Sequence, residues 1–211
     1  MQIWGMKNIK TIIFDLGAVL LKINYQLTII EFAKLGVKNA DSFYSKEVQT
    51  NLFNDIESGE ISADSFLKLL QKETNNASKN EVRNAWNAML IDLPKERIEL
   101  LKQLKQDFPI YLLSNTNSIH ISEFRKKIGE TKYQEFYNLF DKVYYSHEIG
   151  FRKPNKEAFQ IILDENNFNA NEVLFIDYSP QHIEGAKNLG IRTYHLKDGE
   201  EVTTLFPDIA L

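Results

Sequence analysis

At 211 residues the chain is long enough for one sizeable core with an insertion and too short for two average domains. Apolar residues make up 43% and charged residues 26%, and the net charge of −4 comes from 25 basic and 29 acidic side chains that are interspersed, so the sequence carries no electrostatic footprint for nucleic acid. No apolar run approaches the roughly 18 residues of a membrane span, the start "MQIWGMKNIK" has no apolar leader, and cysteine is absent, which excludes disulfides and a thiolate nucleophile. A cytoplasmic protein with a small-molecule partner, away from membranes and nucleic acid, is expected.

In chain order, the first apolar run is "TIIFD", which ends on Asp15 and is followed by Leu16 and Gly17. Residues 22–92 then show no strand-like run. They carry four amphipathic stretches, 25–35, 41–53, 63–73 and 80–89, with the turn "ESGEIS" between the middle pair. Such a segment reads as a helical cap inserted after the first strand, the alternative being a helical part of one undivided core. Beyond it, "PIYLLSN" ends on Ser114 and Asn115, a weaker run is "KVYYS", "EVLFID" ends on Asp177, and "IRTYHL" ends near His195. Helical spacing fills 94–106, 118–128, 155–166 and 180–189, with Gly190 as a stop. Strands alternating with helices in this way predict an α/β fold: a Rossmann-like, doubly wound parallel sheet built from residues 1–21 and 93–211, with residues 22–92 as the cap.

An open parallel sheet binds ligands at the carboxyl ends of its strands, around the point where strand order reverses. Three of the four clear runs deliver a short polar group there: Asp15, Ser114 with Asn115, and Asp177. Each alone would serve as a helix N-cap; three at one edge, with Lys153, describe a site. Asp15 can attack phosphorus and form an acyl phosphate, and Ser114 and Lys153 can neutralise the transferring group. Pro154 suits the first turn of the next helix, which would put Lys153 at a helix N-terminus.

Taken together, "IIFDLGAVLL", "YLLSNTN", "IGFRKPNKEAF" and "LFIDYSPQHIEGAKNLGI" resemble, in order and spacing, the four motifs of the haloacid dehalogenase (HAD) superfamily. Within it the chain looks most like the bacterial sugar-phosphate phosphatases typified by α-D-glucose-1-phosphate phosphatase, including "ESGEIS" in the cap. The resemblance implies a hydrolase: a phosphatase assisted by Mg2+, acting on a small phosphorylated metabolite through an aspartyl phosphate on Asp15. It further implies that Ser114 binds the phosphoryl oxygens with Asn115 beside it, that Lys153 bridges phosphate and nucleophile, and that Asp15, the Gly17 carbonyl and Asp177 hold the metal.

Two positions depart from that pattern. Most HAD phosphatases carry a second Asp two residues after the nucleophile, where this chain has Gly17, which cannot transfer a proton. A missing general acid costs about 10²- to 10⁴-fold and least with a good leaving oxygen, so an activated phosphate is the expected substrate. Two adjacent acids are usual in the fourth motif, where this chain has Asp177 and Tyr178, and the expected Asn five residues after Asp177 is His182. The readings left open are therefore a phosphatase, a non-catalytic phosphate-ligand-binding member, and a metal-independent 2-haloacid dehalogenase. His120, His147 and His182 lie near motif loops, and Phe53 and Trp86 read as cap packing.

Overall fold

The computed structural model describes residues 8–40 and 51–206. Strand β1 (Thr11–Phe14) leads into a short β2 (Lys22–Ile23), then helices α1 (Tyr25–Lys34), α2 (Asn51–Glu57), α3 (Ala63–Lys72) and α4 (Lys79–Asn87), and a short β3 (Leu90–Asp92). The chain continues through α5 (Lys95–Asp107), β4 (Ile110–Ser114), α6 (Ser118–Ile128), α7 (Glu130–Tyr137), β5 (Lys142–Tyr145) and the one-turn α8 (Ser146–Ile149). It ends with α9 (Lys156–Asn166), β6 (Val173–Asp177), α10 (Pro180–Lys187) and β7 (Arg192–His195).

The main sheet has five parallel strands in the order β5-β4-β1-β6-β7. After β1 the chain builds outward on one side and then crosses to build on the other, so strand order reverses beside β1. Successive residues of β1 point to opposite faces, and both faces are covered. Ile12 and Phe14 join one buried apolar cluster with Leu112, Leu174, Leu101 and Phe124, while Ile13 joins another with Phe175, Phe159, Ile162 and Ile183. This two-sided burial is why the strands read as continuous apolar runs rather than alternating ones.

Residues 22–92 differ from the sequence expectation in one respect: they do contain strands. β2 and β3 pair antiparallel, Lys22 with Asp92 and Ile23 with Leu90, as the paths into and out of the helical segment. Two or three residues leave no periodicity to read; the pairing alone defines them. Of the stretch expected as a helix over 41–53, residues 41–50 lie outside the described residues, and α2 covers the remainder. Helix α4 opens with a capping box in which Ser78 accepts from the Glu81 N–H while the Glu81 carboxylate accepts from the Ser78 N–H. Phe53 stacks on Trp86 with centroids 5.4 Å apart, and Phe66 meets the same indole edge-on at 4.9 Å, so these aromatics are packing residues. They belong to the same buried cluster as Ile12 and Phe14.

Candidate active site

Strands β4, β1 and β6 are adjacent, and their carboxyl ends place Ser114, Asp15 and Asp177 side by side. Their burial follows from the sheet: Asp15 is 4% exposed, Ser114 3% and Asp177 fully buried. Lys153, also fully buried, donates from Nζ to Asp15 Oδ1 at 2.7 Å, to Asp177 Oδ2 at 2.7 Å and to the Leu113 carbonyl at 2.9 Å. One ammonium thus serves two carboxylates. Burial, opposed by Lys153 and reinforced by the Asp177 charge, pushes the Asp15 carboxyl above the ordinary carboxylate range. Asp177 is held below that range, against its own burial, by the Lys153 charge and by His182. Burial also works against the Lys153 charge, but the two carboxylates outweigh it and hold its pKa above the ordinary lysine value.

The supports of this triad come from loops and from the first turns of helices. The Ser179 N–H donates to Asp177 Oδ1 at 2.7 Å, and His182 Nδ1 lies 2.9 Å from Asp177 Oδ2. Asn115 straps the lysine's main chain: its Nδ2 donates to the Lys153 carbonyl and its Oδ1 accepts from the Lys153 N–H, both at 2.8 Å. The Asn115 amide is therefore occupied in holding Lys153. Ser114 lines the cavity, and its hydroxyl makes no hydrogen bond among the described residues. Ser146 fixes the next residue, accepting from the Thr116 N–H at 2.9 Å and donating to the Thr116 carbonyl at 3.0 Å.

Pro154 does not occupy the first turn of a helix. The Lys153–Pro154 peptide is cis and α9 starts at Lys156 with Asn155 as N-cap, so Lys153 stands three residues before the helix and its side chain runs into the sheet edge. The chain can turn there because residue 185 of α10 is glycine: a Cβ at Gly185 would lie 2.5 Å from the Pro154 carbonyl oxygen. The bend after β1 is made at Ala18. Ala18, with φ 62°, takes the left-handed conformation, whereas Gly17 has an ordinary φ and forms a bridge with Leu21.

Asp15, Gly17, Ser114, Asn115, Lys153 and His182 line a cavity of about 500 Å³. Two of its lining contacts tie the helical segment to the loops around the triad. Tyr25, at the start of α1, and Tyr178, directly after β6, have their hydroxyl oxygens 2.5 Å apart, and burial holds both phenols well above their ordinary pKa. Glu57, the last residue of α2, accepts from Arg152 Nε at 3.0 Å and Nη2 at 2.7 Å. Burial raises the Glu57 carboxyl against the opposing Arg152 charge. Residue 178 is therefore committed to a hydroxyl pair, and Tyr25 and Arg152 line the cavity without having been singled out from the sequence.

Of the histidines, His182 touches Asp177, while His120 lines the cavity, pairs with Asn87 at 2.9 Å and stacks on Trp86 at 4.7 Å. His147 stacks on Tyr145 away from the lining residues. No helix among the described residues is long and apolar enough to cross a membrane.

The carboxylate–lysine–carboxylate arrangement lies at the switch point of the doubly wound sheet, where such folds bind ligands. Residues 12–196 match the haloacid dehalogenase-like hydrolase family, and the chain belongs to it. It is 29% identical over 194 residues to D-ribitol-5-phosphate phosphatase of Bacteroides thetaiotaomicron, covering 92% of this chain and 94% of that protein. A crystal structure of a HAD family enzyme from the same organism in complex with magnesium superposes with a TM-score of 0.84 at 32% identity, over 95% of this chain and 99% of that one. A mutant of that enzyme carrying magnesium and inorganic phosphate gives 0.86 at 31% identity, over 94% and 98%.

Proposed function

We propose that this hydrolase is a phosphatase for a small phosphorylated metabolite, a sugar or polyol phosphate, working through an aspartyl phosphate on Asp15. The observation that carries the reading is the single buried ammonium of Lys153 held 2.7 Å from both Asp15 and Asp177 at the floor of the cavity. Residues 22–92 act in it as a cap that closes the cavity over the sheet edge.

Lys153 occupies Asp15 Oδ1, leaving Oδ2 to attack phosphorus; the bond to the leaving oxygen breaks as the acyl phosphate forms, and that oxygen takes its proton from water, since Gly17 offers none. Water then attacks the phosphorus, and inorganic phosphate leaves as the Asp15 carboxylate is regenerated. The Ser114 hydroxyl donates to a phosphoryl oxygen. Lys153 supplies fixed positive charge in a site where burial strengthens it. Asn115 holds that lysine through its main chain.

Magnesium fits the donors present. The Asp15 carboxylate and the Gly17 carbonyl are hard oxygen ligands, and Mg2+ is commonly held by one or two carboxylates while keeping several waters. Both Asp177 oxygens are already hydrogen-bonded, to Lys153 and His182 and to the Ser179 N–H, so Asp177 would act through water. Among the described residues no three His, Cys, Asp or Glu side chains form a metal-binding group. When bound, the ion would neutralise charge on the transferring phosphoryl group.

The substrate class rests on the relative that acts on D-ribitol 5-phosphate. That compound is a primary ester of an acyclic polyol, so unactivated esters belong in the test beside the anomeric and acyl phosphates that Gly17 favours. Phosphate release from p-nitrophenyl phosphate, acetyl phosphate and a panel of sugar and polyol phosphates, with Mg2+ and with EDTA, is the test. Metal-dependent turnover is expected in the wild type and none in Asp15→Asn. A folded protein silent across the panel would sink the reading in favour of a phosphate-ligand-binding module.

A further inference from the structure

Glu57 ends α2 and begins the "ESGEIS" turn, and it reaches the cavity from the helical segment rather than from a strand end. Its position is fixed twice. The turn that follows packs on α8 so closely that a Cβ at Gly59 would lie 2.4 Å from the His147 carbonyl oxygen. Arg152, directly before Lys153, grips its carboxylate, and the two side chains are only 14% and 17% exposed.

The grip is one-sided. A guanidinium fork commonly engages both carboxylate oxygens; here Nε and Nη2 both donate to Oε2, and Oε1 makes no hydrogen bond among the described residues. A carboxylate oxygen that has no protein donor is open to one from water or a ligand, and this one belongs to a residue lining the cavity. The lining beside it adds the Tyr25 and Tyr178 hydroxyls. Because Glu57 neutralises Arg152, this part of the wall offers acceptors to hydroxyl groups and meets a second anionic group with a carboxylate.

We propose that Glu57, held by Arg152, is the specificity-determining residue for the non-phosphoryl half of the substrate. Its Oε1 accepts hydrogen bonds from the hydroxyls of a neutral polyhydroxylated phosphate monoester and turns away phosphates that bear a carboxylate. The inference rests on the phosphatase reading and deepens it.

The test compares kcat/KM for D-ribitol 5-phosphate, 3-phosphoglycerate and p-nitrophenyl phosphate in the wild type, Glu57→Gln and Glu57→Asp, with thermal unfolding of each to confirm folding. In Glu57→Gln the ratio of ribitol phosphate to p-nitrophenyl phosphate is expected to fall about 10-fold or more, mostly through KM, since a hydrogen bond to a charged group is lost. The ratio for 3-phosphoglycerate is expected to rise. Glu57→Asp, which keeps the charge and shortens the reach, should lower the first ratio without raising the second. A common factor for all three substrates, or turnover of p-nitrophenyl phosphate with none of ribitol phosphate, overturns the inference. Calorimetric binding of D-ribitol 5-phosphate to Asp15→Asn, alone and combined with Glu57→Gln, separates it from the phosphatase reading. Binding that weakens with Glu57→Gln, while the wild type turns over no substrate, would uphold the role of Glu57 and remove the phosphatase; absence of binding together with absence of wild-type turnover would overturn both.

Discussion

Lys153 is the residue on which the site's electrostatics turn, because two buried carboxylates depend on its one charge. Removing one partner of a buried ion pair leaves an uncompensated charge, at a cost of about 3–5 kcal/mol. Lys153→Met is expected to lose stability on that scale in urea unfolding, and a loss under about 1 kcal/mol would show that the carboxylates are better solvated than their burial implies. His120 gives a prediction in pH. Burial holds its pKa at about 3 against an ordinary 6.5. Below 6.5 the unfolded chain binds a proton that the folded state refuses, so stability falls as pH drops, by about 1.4 kcal/mol per unit down to roughly pH 3. His120→Gln should remove that share of the slope, read from urea midpoints at several pH values between 7 and 4; equal slopes would contradict it. Asp15, Ser114, Lys153 and Asp177 were legible in the sequence because each follows or closes a short apolar run or falls in a motif. Glu57 and Arg152 were not legible as a pair, nor Tyr25 and Tyr178, since their partners lie 95 and 153 positions apart and only the fold joins them.

At the scale of elements, legibility followed the source of each element's stability. β1, β4 and β6 are set by apolar runs buried on both faces, and α6 by its helical spacing and an Asn117 cap that accepts from the Ile119 and His120 N–H groups. β2 and β3 depend on each other, and α7 and α8 on their surroundings, so none of the four announced itself. The turn between α2 and α3 shows how one position can carry such a contact. Gly59 has φ 76° with the His147 carbonyl where a Cβ would go, so Gly59→Ala combines a strained backbone with a clash against main chain. A loss of about 1–3 kcal/mol is expected, together with a fall in the ribitol phosphate to p-nitrophenyl phosphate ratio as Glu57 shifts. The comparison is Ser78→Ala at the exposed capping box of α4, which should cost about 1 kcal/mol and leave that ratio unchanged. Equal effects of the two substitutions on the ratio would show that the turn does not position Glu57.

For the whole molecule the question is whether residues 22–92 unfold with the sheet or before it. The polar ties between the segment and the rest include the Tyr25–Tyr178 hydroxyl contact, the Glu57–Arg152 pair and the Asn87–His120 hydrogen bond. Those polar ties are few, and a largely buried ion pair offsets much of its own desolvation rather than adding greatly to stability. The apolar contacts decide the matter. Phe32, Phe53, Phe66 and Trp86 from the helical segment belong to one continuous buried cluster with Ile12, Phe14 and Leu112 from the sheet, and each such side chain contributes about 1.5–3 kcal/mol when fully buried. Separating the segment would expose apolar surface on both sides at once, so the two parts should unfold in a single cooperative transition. Hydrogen exchange under native conditions reads this directly: the best-protected amides of α4 and of β1 are expected to open with the same free energy and the same denaturant dependence. Protection in α4 lower than in β1 by several kcal/mol would instead show a cap that opens on its own, and would make that opening the route by which substrate enters.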